Sequence, residues 1–214
     1  MKIACFQFNM FCENTYIVWS QETNECMIVD AGMIQQNECD ILDQFISKNN
    51  LKVKYLVNTH LHLDHCFGNN YISEKYNVIT KAHQADHFLG HSLKQSSMIF
   101  GINSPNITDI KVIDSLKEGD ILWLGNNEIH VIHVPGHTPG GIALYAEKEN
   151  WVIVGDSIFA NGGIGRTDLA GGDYKTLIDS INYKLFCLPK STTIYPGHGP
   201  KSTIGQEIQC NPYI

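Results

Sequence analysis

Seven side chains able to hold a metal ion fall in four short segments, and each segment follows a run of β-forming residues. Residues 57–58 lead into Thr59-His60-Leu61-His62-Leu63-Asp64-His65. Residues 131–134 lead into Pro135-Gly136-His137-Thr138-Pro139-Gly140-Gly141, residues 152–154 into Gly155-Asp156-Ser157, and residues 194–195 into Pro196-Gly197-His198-Gly199. Loops at one end of a sandwich converge readily on a single site. Gly and Pro make the tight turns that set side chains off the backbone at fixed angles. Neutral imidazoles and carboxylates suit zinc and neighbouring transition metals. Seven ligands exceed one tetrahedral site and match two ions sharing a bridging carboxylate and a bridging water. Two ions roughly 3.5–4 Å apart polarise a carbonyl while activating water, so no serine or cysteine nucleophile is needed. The fold must therefore bring four strand ends to one edge.

The rest of the chain offers such a fold. Residues 16–19 and 26–30 are rich in β-formers and separated by a polar turn. Residues 37–49 carry Ile41, Leu42, Phe45 and Ile46 at helical spacing. A strand is predicted over 54–58, a helix over 69–76, a strand over 78–80 and a longer helix over 82–98. In the second half, 120–124 and 128–134 form a hairpin through Gly125-Asn126-Asn127. Strands follow at 142–145 and 151–154, a helical stretch at 173–187 and a strand at 193–195. Two similar halves emerge, each with strands first and a helix afterwards. That order predicts an α/β fold with two sheets face to face and helices outside, a four-layer αββα sandwich. With no internal repeat, low-complexity tract or long linker, residues 1–214 read as a single domain.

Composition excludes several classes. Of the 214 residues, 43% are apolar and 17% charged, as in an ordinary globular protein. The net charge of −7 argues against a nucleic-acid partner. No apolar run reaches the roughly 18 residues needed to span a bilayer. The first residues turn polar too early for a signal-peptide core. Seven scattered cysteines (Cys5, Cys12, Cys26, Cys39, Cys66, Cys187 and Cys210) form no Cys-x-x-Cys pair. Reduced thiols in a cytoplasmic setting are the simplest expectation. Cys210 lies one residue too far back for prenylation, and Asn106-Ile107-Thr108 is a chance match to a glycosylation acceptor in a chain without an export signal. His83, His87 and His91, four apart on the predicted helix, share a face with only Asp86 as a nearby acid, and read as a solvated or packing stripe. His130 and His133 sit inside a strand as packing or surface residues. Cys66, beside His65, is expected to be buried and structural.

Taken in order, the four segments resemble the metallo-β-lactamase superfamily, and the resemblance runs from Asp30 to His198. Within that superfamily the chain is most similar to the glyoxalase II group, the hydroxyacylglutathione hydrolases, in their short single-domain form. The marker is Gly165-Arg166-Thr167-Asp168-Leu169. The resemblance implies an αββα sandwich in which His60, His62 and His137 hold one metal. Asp64, His65 and His198 hold the other, and Asp156 bridges. It makes Asp30 the acid that supports the histidine loop. Arg166 and Asp168 have two open roles, an ion pair bracing the mouth of the site or a contact with substrate. Longer glyoxalase II enzymes carry a C-terminal helical extension that contacts glutathione, and this chain ends soon after His198. The resemblance thus carries over the metal site and not glutathione specificity, with the 98–110 loop as a candidate replacement.

The expected reaction is hydrolysis of a small-molecule thioester of the S-2-hydroxyacylglutathione type. A metal-bridging hydroxide attacks the carbonyl, Asp64 orients it, one metal stabilises the oxyanion and a thiolate leaves. The expected cofactors are two divalent transition-metal ions, zinc first, with iron or manganese as substitutes. Neither a nucleic acid nor a membrane is expected as a partner. Four readings compete. A persulfide dioxygenase with one iron shares the general ligand pattern and a Gly-Arg-Thr-Asp segment. A lactonase uses the two-metal site on a cyclic ester. An RNA-processing nuclease is disfavoured by the acidic charge, and a non-catalytic metal-binding module by the complete ligand set.

Overall fold

Alternation along the strands decides the architecture. In a computed structural model that describes residues 1–102, 104 and 107–213, the first half forms β1 (Lys2–Phe8), β2 (Glu13–Trp19), β3 (Glu25–Val29), α1 (Gln36–Lys48), β4 (Lys52–Val57), α2 (Asn69–Tyr76), β5 (Thr80–His83), α3 (His87–Gly90), α4 (Leu93–Ile99) and β6 (Ile113–Leu116). Its six strands lie in the order β1-β2-β3-β4-β5-β6. The second half forms β7 (Ile121–Leu124), β8 (Asn127–His133), β9 (Ile142–Ala146), β10 (Trp151–Gly155), β11 (Ile158–Phe159), β12 (Gly163–Ile164), α5 (Tyr174–Ser180), β13 (Thr193–Pro196), β14 (Ser202–Thr203) and α6 (Ile204–Cys210). Its main sheet has the order β14-β13-β10-β9-β8-β7, and β11 and β12 pair separately.

Because side chains alternate across a strand, each sheet buries two faces. Tyr16, Val18, Met27 and Val29 of the first sheet meet Leu124, Val131, Leu144 and Ile153 of the second in one core. The intervening residues point the other way. Ile17, Ile28 and Leu56 pack on Leu42 and Ile46 of α1 and Ile72 of α2. Val152, Val154 and Ile194 pack on Leu177 of α5 and Ile181 and Leu185 in the π-helical turn after it. Each such side chain contributes about 1.5–3 kcal/mol when fully buried. The result is the expected four-layer sandwich of helix, sheet, sheet and helix.

Several local expectations are corrected. The 82–98 segment is not one helix. Thr80–His83 is a strand paired in parallel with both β4 and β6, followed by a 3-10 turn (Gln84–Asp86) and two short helices. Gly90 lies so close to Leu61 and Ile113 that a Cβ there would sit about 3 Å from both side chains, and the chain breaks at Ser92 rather than continuing. His83 therefore lies off the helix, whereas His87 and His91 stay one turn apart with ring centroids 6.0 Å from each other. His83 stacks on His133 with ring centroids 4.0 Å apart, and His91 Nδ1 lies 2.7 Å from the Ile110 carbonyl. Six elements have no counterpart in the sequence analysis: β1, β6, β11, β12, β14 and α6. Asn106 of the candidate glycosylation motif lies outside the described residues, as do Asn103 and Pro105 of the 98–110 loop.

Candidate metal centre

The strand directions put every candidate ligand at one edge. β3 and β4 run parallel, as do β10 and β13. β8 and β10 share a direction because both are antiparallel to β9. The residues leaving β3, β4, β8, β10 and β13 thus emerge together, and they supply Asp30, His60 to His65, His137, Asp156 and His198 in turn. Two close approaches need glycine. A Cβ on Gly197 would lie 2.1 Å from Asp156 Oδ1, and one on Gly165 would lie 1.9 Å from the Asp156 carbonyl oxygen.

The structure brings all seven candidates into two adjoining groups. The inward atoms of His60, His62 and His137 lie within 4.8 Å of one another, as do those of Asp64, His65 and His198. His137 Nε2 is 2.8 Å from His62 Nδ1 and 3.3 Å from His60 Nε2. In the second group, Asp64 Oδ2 is 3.2 Å from His198 Nε2 and 3.6 Å from His65 Nε2. Asp156 stands between them. Its Oδ2 is 3.7 Å from His137 Nε2 and 3.5 Å from His198 Nε2, and its Oδ1 is 3.5 Å from His65 Nε2.

The far side of the imidazoles fixes which nitrogen is bare. His137 Nδ1 donates to the Arg166 carbonyl at 2.7 Å, and His198 Nδ1 to the Phe11 carbonyl at 3.1 Å. His65 Nδ1 donates to Asp30 Oδ2 at 3.1 Å. Thr59 gives its hydroxyl proton to Asp30 Oδ2 at 2.6 Å, so it accepts from His60 Nδ1 at 3.1 Å. Four Nε2 lone pairs therefore point at one another and at two carboxylates. His65 Nε2 and Asp156 Oδ1 are buried without a hydrogen-bond partner. Such a set of acceptors lacking donors is unfavourable by itself and suits cations held between them. The donor set, imidazole nitrogen and carboxylate oxygen, fits transition-metal ions.

Electrostatics agree. Burial, then the neighbouring histidines, keeps His60 neutral and drives His62 down to about 3. Burial also lowers His137, against the pull of Asp156. His65 goes the other way. Burial opposes its charge, but Asp64, Asp156 and Asp30 outweigh it and push its pKa well above the ordinary value. Burial raises Asp64 and Asp156, and the histidines, His65 foremost, overcome it and hold both carboxyls below the usual range. The carboxylates thus draw protons to His65 and His198, a positive charge that a bound cation would supply in their place.

Asp30 adopts a left-handed conformation (φ 55°) at the end of β3. It is fully buried and accepts from the Thr59 amide at 2.7 Å as well as from the Thr59 hydroxyl and His65. Arg166 and Asp168 form a two-pronged ion pair at 2.8 Å on the rim. It is the carbonyl of Arg166, not its guanidinium, that touches a candidate ligand. Cys66 is buried, with its thiol pushed up by desolvation and in contact with Asn58.

Sequence reasoning missed three groups. Asp86, fully buried, accepts from Gly140 N at 2.6 Å, the Thr138 hydroxyl at 2.8 Å and Leu61 N at 3.2 Å. It ties the loop of His60 and His62 to the loop of His137. Its only signal was an acid among histidines. Glu13 is buried behind Asp30, 3.9 Å from His65 Nδ1, and burial pushes its carboxyl up. The carbonyls of Phe11 and Arg166 act through the main chain, which leaves no trace in residue type.

The model of the metallo-beta-lactamase superfamily matches residues 13–198. The chain is 37% identical to the hydroxyacylglutathione hydrolase GloC of Haemophilus influenzae, over 100% of this chain and 98% of that protein. It is 29% identical to the mitochondrial persulfide dioxygenase ETHE1 of Mus musculus, over 95% of this chain and 72% of that protein. Among solved structures, BLEG-1 B3 metallo-beta-lactamase superposes with a TM-score of 0.87 at 30% identity, covering 99% of each chain. TTHA1623 in a di-iron-bound form gives 0.86 at 29% identity, covering 99% of this chain and 100% of that one.

Proposed function

The chain belongs to the metallo-β-lactamase superfamily, and on that footing we propose that it hydrolyses thioesters of the S-2-hydroxyacylglutathione type. The observation that carries the reading is the pair of complete three-residue groups sharing Asp156. Full-length similarity to a hydroxyacylglutathione hydrolase supports the thioester class. His60, His62 and His137 would hold one ion, and Asp64, His65 and His198 the other, with Asp156 reaching both. Zinc is the first choice of metal, and iron is the alternative on the strength of a di-iron relative. When bound, two such ions supply Lewis acidity and a nucleophilic water at neutral pH.

The chain's own residues do the remaining work. Asp64, ionised under the influence of His65 and His198, accepts a hydrogen bond from the attacking water and so orients it. Asp30, through His65 and Thr59, keeps the ligand loop in register. No side chain need protonate the leaving group, because a thiol ionises near pH 8.5 and departs as the anion. Seven free thiols suit a reducing, cytoplasmic setting. Among the described residues no helix is long and apolar enough to cross a membrane.

A second reading, persulfide dioxygenase with one iron, has support from the similarity to ETHE1. The two separate cleanly. Thioester cleavage by protein loaded with two metals, at a rate independent of oxygen, supports hydrolysis. Oxygen uptake with a persulfide by protein holding one iron moves the assignment to the dioxygenase.

A further inference from the structure

The cleft above the metal ligands encloses about 640 Å³, and its walls differ in chemistry from its floor. Apart from the candidate ligands, the described lining is apolar save for Ser96 and Arg166. Leu61 and Leu63 belong to the hydrophobic cluster that supports α4, with Leu89 packed against it. Ile99 at the end of α4 and Phe100 after it line the mouth while 74% and 52% exposed. Phe11, 45% exposed, lies beside His198 through its own carbonyl. Bulky apolar side chains left in water around a polar centre mark a surface that a ligand covers.

Charge points the same way. A glutathione thioester carries two carboxylates on its thiol half, and recognising them takes fixed cations or clustered donors. Arg166 is the one Lys or Arg in the described lining, and its charge is already paired with Asp168 through Nε and Nη2. The whole chain carries −7, which repels an anionic substrate at long range.

Resting on the thioester-hydrolase reading, we infer that the preferred substrate is an uncharged thioester with an apolar arm lying against Phe11, Ile99 and Phe100. A glutathione conjugate is a secondary substrate whose charged half meets no unpaired Lys or Arg among the described residues of the lining. Burying each added methylene against this wall raises kcat/KM by about fourfold until the wall is covered.

The test uses zinc-loaded full chain and two series of thioesters. In one, the acyl chain grows from two to eight carbons on the neutral thiol N-acetylcysteamine. In the other, an acetyl group is carried on alkyl thiols of increasing length. Acetyl- and lactoylglutathione are run beside them. A rise of about fourfold per methylene in either series, with N-acetylcysteamine preferred over glutathione by tenfold or more for the same acyl group, is the expected result. Ile99→Lys and Phe100→Ser, both on the exposed rim, should flatten the rise to below twofold per methylene. Ile99→Lys should also narrow the preference against glutathione. Flat dependence in both series, preference for glutathione, or variants that keep the full rise would each overturn this inference while leaving thioester hydrolysis standing. If the two-metal protein cleaves no thioester of any kind, the hydrolase reading itself fails.

Discussion

Asp156 is the carboxylate whose oxygens approach nitrogens of both histidine groups, at 3.5–3.7 Å. Asp156→Ala should therefore lower occupancy at both positions, seen as metal per chain after gel filtration. Retention of two ions with full turnover would remove it from the bridge. Asp86 makes a different prediction because it touches only the loops of the three-histidine group. Asp86→Asn places an amide against the Leu61 or Gly140 N–H and should cost about 1–3 kcal/mol. It should also weaken the His60, His62 and His137 site by about tenfold, leaving the second ion in place. Equal loss of both ions would show only general loosening. At the rim, the Arg166–Asp168 pair is exposed on both sides, and such pairs contribute about 0–1 kcal/mol. Arg166→Ala should barely change melting or metal content, since the carbonyl that holds His137 remains. It should leave KM unchanged for anionic and neutral thioesters alike, since Asp168 already holds the guanidinium, and a rise confined to the anionic one would show that Arg166 meets the substrate's charge.

The elements show where sequence was informative. The ligands were legible because each follows a β-rich run and is fixed by Gly or Pro, so type, spacing and order carried the geometry. The four layers were legible from apolar runs such as Trp151–Gly155, which face a core on both sides. β1 was not, because its alternation of exposed and half-buried residues at the sheet edge is weak. The 82–98 stretch has helix-forming composition, yet Ala82 and His83 are claimed by pairing with β6 and Asp86 by its bonds to Leu61, Thr138 and Gly140. Those are long-range facts. The helices on the first sheet are joined by another such contact. Asp43 of α1 accepts from the hydroxyls of Tyr71 and Tyr76 and from Lys75, all on α2. Burial raises its pKa, and these three bonds outweigh it, so the folded value lies below the ordinary one. The stabilisation is then complete above the unfolded value of about 3.9 and fades as pH falls through the folded one. Asp43→Asn should cost about 1–2 kcal/mol at neutral pH, discounted for the partial exposure of Lys75. The gap between variant and parent in urea melts should close as the pH drops below about 4. A gap independent of pH would mean that shape, not charge, holds the two helices.

At the scale of the whole molecule, the candidate ligands sit where both sheets end, so ions bound there would hold loops from both halves of the sandwich together. An ion present at about a hundredfold its Kd adds about 2.7 kcal/mol. Stripping two should lower Tm on the order of 10–20 °C for a chain of this size, and zinc should restore it. A Tm indifferent to chelation would mean that the convergent lone pairs hold no ion. The cleft walls were legible only in part: the 98–110 loop and the 165–169 segment were candidates, whereas Phe11 and Phe159 come from separate segments and meet them only in the fold. Metal content and oxygen dependence together decide whether a two-metal site cleaves thioesters. Protein purified without added metal is assayed for bound metals and for lactoylthioester cleavage with and without oxygen. Close to two transition-metal ions per chain are expected, with cleavage that is indifferent to oxygen and abolished by a chelator. A single iron per chain, no thioester cleavage and oxygen uptake with a persulfide would contradict it.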